Sequence, residues 1–167
     1  MISSAFTGGI ITSFEDALGV MPILTAYIPM LMDTGGNAGG QASATIVRGL
    51  ALDEIVGKDI IRIIWKEARV AVICGIVLSA ANFAKMMLID KLLLGNGSIS
   101  ISVAFAVCLT LSLTVVIAKL VGCSLPIGAK KLGLDPAVMA SPFITTIVDA
   151  LALAAYFRVS MLLIQNI

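Results

Sequence analysis

Long apolar stretches, several approaching twenty residues and separated by charged or glycine-containing breaks, divide this chain into five segments. They cover about 1–14, 17–51, 66–89, 100–121 and 136–164. None alternates with the period of two that barrel strands need, and a lipid-exposed chain must satisfy its backbone hydrogen bonds within itself, so the pattern predicts helices. An all-α membrane bundle follows, with five transmembrane helices. The first segment, about 20 Å long as a helix, is too short to span and reads as the end of a membrane helix whose beginning lies outside this chain. The second is too long. From Asp16 to Arg48 a straight helix would reach about 48 Å, and it holds Pro22, Pro29 and a glycine-rich stretch, which predicts two pieces or a strong bend, broken near 35–40.

Composition narrows the class. Of 167 residues, 59% are hydrophobic and 13% charged, with a mean hydropathy of +1.09, which fits an integral membrane protein and not a soluble domain. With no His, and with Cys74, Cys108 and Cys123 scattered through apolar stretches, soft-metal sites are hard to build, whereas oxygen donors for Mg²⁺ or Ca²⁺ are plentiful. A net charge of +1 without a basic aromatic cluster gives no sign of nucleic-acid binding. Eight of the eleven Lys and Arg residues (Arg48, Lys58, Arg62, Lys66, Arg69, Lys119, Lys130, Lys131) fall on one side of the bilayer, which the positive-inside bias makes cytoplasmic. The C-terminus then lies outside, in a plasma membrane of bacterial inner-membrane type. The mixed charges of Asp53 to Arg69 predict a solvated amphipathic helix at the cytoplasmic surface, with Trp65 at the interface. Lys66, Glu67 and Arg69 read as an ion-pair network fixing the third helix.

Three polar features stand out against the apolar background. Asp149 is alone in the uncharged run from Ala137 to Phe157, roughly 20 Å past Pro136 and so near the centre of a hydrocarbon layer about 30 Å thick. An ionisable group at that depth marks a pathway. Helical spacing puts Ser141 or Pro142, Thr145 or Thr146, Asp149, Ala152 and Tyr156 on one stripe, and Pro142 is expected to kink the helix and free the carbonyl of Val138. The stretch Thr34 to Gln41, reading TGGNAGGQ, admits two readings. Gly35 with Gly39 and Gly36 with Gly40 are small-xxx-small pairs for helix packing. Alternatively, backbone carbonyls near Gly36 and Gly39 are bared to a water-filled cavity while Asn37 and Gln41 present amide oxygens on one face. Asp33 is either a second ion-attracting carboxylate or an interfacial group.

Together these residues resemble the transmembrane domain of the MgtE magnesium channels and transporters. The likeness spans essentially the whole chain: Phe14 and Glu15, Pro29, TGGNAGGQ, Ala44, Thr45, Arg48, Lys66 and Glu67, LGLDP at Leu132 to Pro136, then Pro142 and Asp149. It implies a homodimer in the lipid bilayer, five helices per subunit, a central pore lined mainly by the second and fifth helices, and paired Asp149 carboxylates at a Mg²⁺ site. Two departures are Ser141, where members often carry Asn before the proline, and Gly40, where some carry a second Asn. The family's cytoplasmic N domain and CBS pair have no counterpart in these residues. Either a longer protein supplies them as a regulatory partner, or the protein lacks that sensor.

Mg²⁺ dehydrates reluctantly, so paired carboxylates are expected to hold it through its water shell. Candidate contacts for that shell are Asp149, Thr145, Ser141, Asn37, Gly36 and Gly39. The expected function is conduction of hydrated Mg²⁺ into the cytoplasm, with a Na⁺- or H⁺-coupled secondary transporter of divalent cations as the alternative. An aspartyl protease using Asp33 and Asp149 lacks the GxGD pattern of such enzymes, so no enzymatic role is expected.

Overall fold

The computed structural model describes residues 2–13, 22–55, 57–139 and 142–164. Among these residues no strand occurs, and five α-helices carry the fold: α1 (Ile2–Ser13), α2 (Ile28–Ala51), α3 (Ile60–Lys85), α4 (Ile101–Lys131) and α5 (Pro142–Ile164). Short 3-10 turns at Pro22–Tyr27, Gly57–Asp59 and Pro136–Met139 lead into α2, α3 and the α5 region, and a π-helical turn, Met86–Leu93, prolongs α3. Among the described residues, three helices are long and apolar enough to cross a membrane: Ile60–Leu93, Ile101–Lys131 and Phe143–Ile164. The chain is a multi-pass membrane protein.

The central element is α4, which packs against α2, α3 and α5. Its start is fixed by Ser100, whose Oγ accepts from the Val103 amide at 3.1 Å, a side-chain cap for an otherwise orphaned donor. The helix runs about ten residues past the expected end near 121 and continues through Pro126. Cys123 and Ile127 beyond that point bury themselves against Ala42, Ile46 and Leu50 of α2, and this packing outweighs the lost hydrogen bond. The helix ends instead at Gly133, whose φ of 73° suits glycine, with Leu134 N–H donating to the Ala129 carbonyl at 2.9 Å in the glycine-terminated pattern of helix C-ends.

Three other boundaries differ from expectation. The glycine-rich stretch does not break the second segment, since α2 is helical throughout Ile28–Ala51. The irregularity comes earlier, at the 3-10 turn Pro22–Tyr27, and Pro29 sits in the first turn of α2, where a missing N–H removes nothing from the helix. The charged residues Arg62 to Arg69 form no separate surface helix but the first turns of α3, with Ile60, Ile63 and Ile64 packed onto the cluster at the end of α2. Pro142 begins α5 and so introduces no kink within it. The 3-10 turn before it is started by Asp135, whose Oδ1 accepts from the Ala137 amide at 2.9 Å.

Around α4 the outward faces are apolar. Ile61, Trp65, Ile73, Ile76 and Val77 of α3 are each more than half exposed, as suits a surface that lipid covers. The largest core cluster gathers Leu31 of α2, Val103 and Val107 of α4, and Leu153, Tyr156 and Phe157 of α5. Within it the Tyr156 hydroxyl donates to the Leu24 carbonyl at 2.9 Å. That bond ties α5 to the turn that introduces α2.

Candidate functional site: a carboxylate cleft between α2 and α5

The glycines of α2 separate into two faces with different tasks. A β-carbon at Gly35 would come within 2.8 Å of Val148 Cγ1 and 2.9 Å of Thr114 Cγ2, and one at Gly39 within 2.9 Å of Ile144 Cγ2. A β-carbon at Gly122 of α4 would overlap the Gly39 carbonyl oxygen. So Gly35 and Gly39 are close-packing positions, where van der Waals contact between backbones replaces a side chain. Gly36 and Gly40 face elsewhere: a β-carbon at Gly36 meets only Thr145 Cγ2, at 3.5 Å, and one at Gly40 meets nothing within 4 Å. The close-packing reading therefore holds for Gly35 and Gly39, while Gly36 and Gly40 stand on a neighbouring, open face of one regular helix.

The open face forms a cleft of about 600 Å³, lined by Met32, Asp33, Gly36, Asn37, Gly40 and Gln41 of α2 and by Thr145 and Asp149 of α5. The spacing explains the membership, because positions 33, 37 and 41 recur every four residues, as do 36 and 40 and, on α5, 145 and 149. Gly35 abutting Val148, and Gly39 abutting Ile144, set the two helices antiparallel. Asp33 thereby stands at the level of Asp149. Asn37 Nδ2 donates to Asp33 Oδ2 at 3.2 Å. The lining carries two carboxylates, two amides and a hydroxyl, and no Lys or Arg.

Of the predicted site residues, Asp149, Thr145, Asn37 and Gly36 are brought together in this cleft. Gly39 is not a lining residue: the need for close approach to Ile144, Ala118 and Gly122 turns it into the helix interface. Ser141 lies outside the described residues. The lining residue not singled out beforehand is Met32, while Asp33, Gly40 and Gln41 were noted but not counted among the candidate contacts; the four-residue recurrence through 33, 37 and 41 was the available signal. Among the described residues no three of His, Cys, Asp and Glu come together.

Two further polar clusters lie away from the cleft. Glu67 Oε2 accepts from Lys119 Nζ at 3.1 Å, with both side chains largely buried, so Glu67 joins α3 to α4 instead of serving the network expected with Lys66 and Arg69. Beyond the other end of α3, Asp90 Oδ2 accepts from Lys85 Nζ at 2.7 Å and from the Tyr27 hydroxyl at 3.3 Å. Lys119 and Lys85 each have a carboxylate of their own, and neither lines the cleft that holds Asp149.

The family model described as MgtE, divalent cation transporter, matches residues 28–159, which include α2 and most of α5. The chain is 34% identical over 161 residues to the magnesium transporter MgtE of Bacillus subtilis, covering 96% of this chain and 34% of that protein. It is 32% identical over 167 residues to the magnesium transporter MgtE of Thermus thermophilus, covering 100% of this chain and 35% of the relative. With the magnesium transporter MgtE of Enterococcus faecalis the identity is 29% over 159 residues, 95% of this chain and 33% of that one. The chain thus spans about a third of the length of the curated relatives it matches.

Proposed function

Because this chain belongs to the MgtE family of divalent cation transporters, we propose that its α2–α5 cleft is one half of a Mg²⁺ channel, completed around a two-fold axis by a second copy of the chain. The observation that carries this reading is the lining: among the described residues, two carboxylates with two amides, a hydroxyl, two glycines and the Met32 thioether beside them, and no cation. Oxygen donors suit hard cations. The size suits a hydrated one. Six waters and their ion occupy about 200 Å³ at about 30 Å³ per water, well within the cleft's volume of about 600 Å³.

The chemistry follows from the reluctance of Mg²⁺ to shed water. Asp149 from each subunit accepts hydrogen bonds from the water shell, so the ion is held without stripping and is released again. Two facing carboxylates repel one another, and a divalent ion relieves that repulsion more completely than a monovalent one. Thr145, Asn37 and the α2 backbone beside Gly36 provide further partners for the shell, with Ser141 at the cytoplasmic side. In this arrangement α2 crosses the membrane although it is less apolar than the three clear spans, since its polar face meets the water of the pore and not lipid.

A channel is preferred to a coupled carrier because α2 and α5 run as unbroken helices past the cleft, whereas carrier sites are built from discontinuous ones. Arg48, Arg62, Lys66, Arg69, Lys130 and Lys131 belong to the end of α2, the start of α3 and the end of α4. That end is assigned to the cytoplasm, which puts the C-terminus outside. The test is Mg²⁺ flux into liposomes. Asp149→Ala is expected to lose conduction while still assembling as a dimer, and parent-level flux in that variant would falsify the central-site reading. Saturable flux that tracks a Na⁺ or H⁺ gradient would replace the channel by a carrier.

A further inference from the structure

On the reading of the cleft as a cation pathway, we infer that Asp33 sets the affinity for the divalent cation, by adding a second negative charge and by fixing the orientation of the Asn37 amide. Asp33 lines the same cleft as Asp149 and lies at its level, because Gly35, two residues on, abuts Val148. A carboxylate only accepts hydrogen bonds, so the Asn37 atom 3.2 Å from Asp33 Oδ2 is the amide nitrogen and the amide oxygen is turned away from the carboxylate. An ionised acceptor makes that bond stronger than a neutral one. One of the two Asn37 N–H groups is thus taken up by Asp33, and the amide oxygen, on the side away from the carboxylate, is left to a passing ion or its water. Without Asp33 the amide rotates freely, and half of its orientations present N–H groups that repel the ion.

The two contributions separate experimentally. Asp33→Asn removes the charge and keeps an oxygen that accepts from Asn37, whereas Asp33→Ala removes both. Neither touches a packing position, since Asp33 is exposed on the open face of α2. Initial Mg²⁺ uptake into liposomes is measured against external Mg²⁺ at low and high ionic strength, for these variants, Asn37→Ala and the double variant Asp33→Ala with Asn37→Ala. Manganese(II) binding to the solubilised protein, followed by electron paramagnetic resonance, gives an affinity that does not depend on transport.

Asp33→Asn is expected to raise the half-saturating concentration about threefold at low ionic strength with the maximal rate kept, and the gap should close in high salt, where the Debye length falls to about 3 Å. Asp33→Ala is expected to raise it about tenfold, with a residue that salt does not abolish and that vanishes when Asn37 is already alanine, because an effect exerted through Asn37 is non-additive with its removal. Parent-like half-saturation and manganese affinity in Asp33→Ala at both ionic strengths overturn the inference. Strict additivity with Asn37→Ala overturns the orienting role. Asp149→Asn, run alongside, keeps the two levels apart: if it conducts as the parent does, the pathway reading itself fails, and if it is silent while Asp33→Ala matches the parent, only the role of Asp33 does.

Discussion

At the scale of single residues the glycines of α2 are the most informative, because four identical side-chain absences do two different things. Gly39→Ala forces a methyl group to within 2.9 Å of Ile144 Cγ2 and 3.1 Å of the Ala118 carbonyl, an overpacking expected to destabilise by about 1–3 kcal/mol. Gly40→Ala meets nothing within 4 Å and should unfold as the parent does. Thermal unfolding of the two variants in detergent compares them directly, and equal midpoints would refute the division into faces. The sequence alone holds both meanings of these glycines, since small-xxx-small spacing and a bared helix face are the same pattern. What decides between them is which partner helix approaches which face, and that depends on α4 and α5, far away in the chain. Asp149 was legible for the opposite reason: a charge deep in an apolar run is costly wherever its helix packs.

At the scale of elements, helix existence was legible and helix ends were not. Apolar run length announced the spans, but the expected end near 121 and the charges of Arg62 to Arg69 read as boundaries, and tertiary packing carried α4 and α3 through both. The Glu67–Lys119 pair illustrates the same limit, since 52 residues separate its members and no local spacing joins them. Both side chains are under 15% exposed, so Glu67→Gln leaves an uncompensated ammonium between α3 and α4. A loss of about 3–5 kcal/mol is expected, and replacing both residues by Met should restore most of it. Thermal unfolding of the single and double variants measures this. If the double variant is as unstable as the single one, the helices need the charge itself and not merely its balance.

At the scale of the whole molecule, the bundle presents two unlike surfaces, and that contrast gives the proposed dimer its direction. The α3 face, with Trp65 and Ile73 well exposed, is apolar and has lipid as its natural neighbour. The cleft face carries Asp33, Asn37, Gln41 and Asp149, and a single copy in a bilayer would turn these groups toward hydrocarbon, at several kcal/mol for each unsatisfied polar group. The proposed second copy, related by a two-fold axis, would resolve this, because the same polar patch would then face itself across water. Met32 lines this cleft, so the proposed arrangement brings the two Met32 residues near the axis. After Cys74, Cys108 and Cys123 are replaced by Ala, Met32→Cys should form an intermolecular disulfide under mild oxidation in membranes, whereas Trp65→Cys should not. Cross-linking through position 65 with none through position 32 would place the subunit contact on the apolar α3 face, leave the cleft open to lipid, and remove the pore.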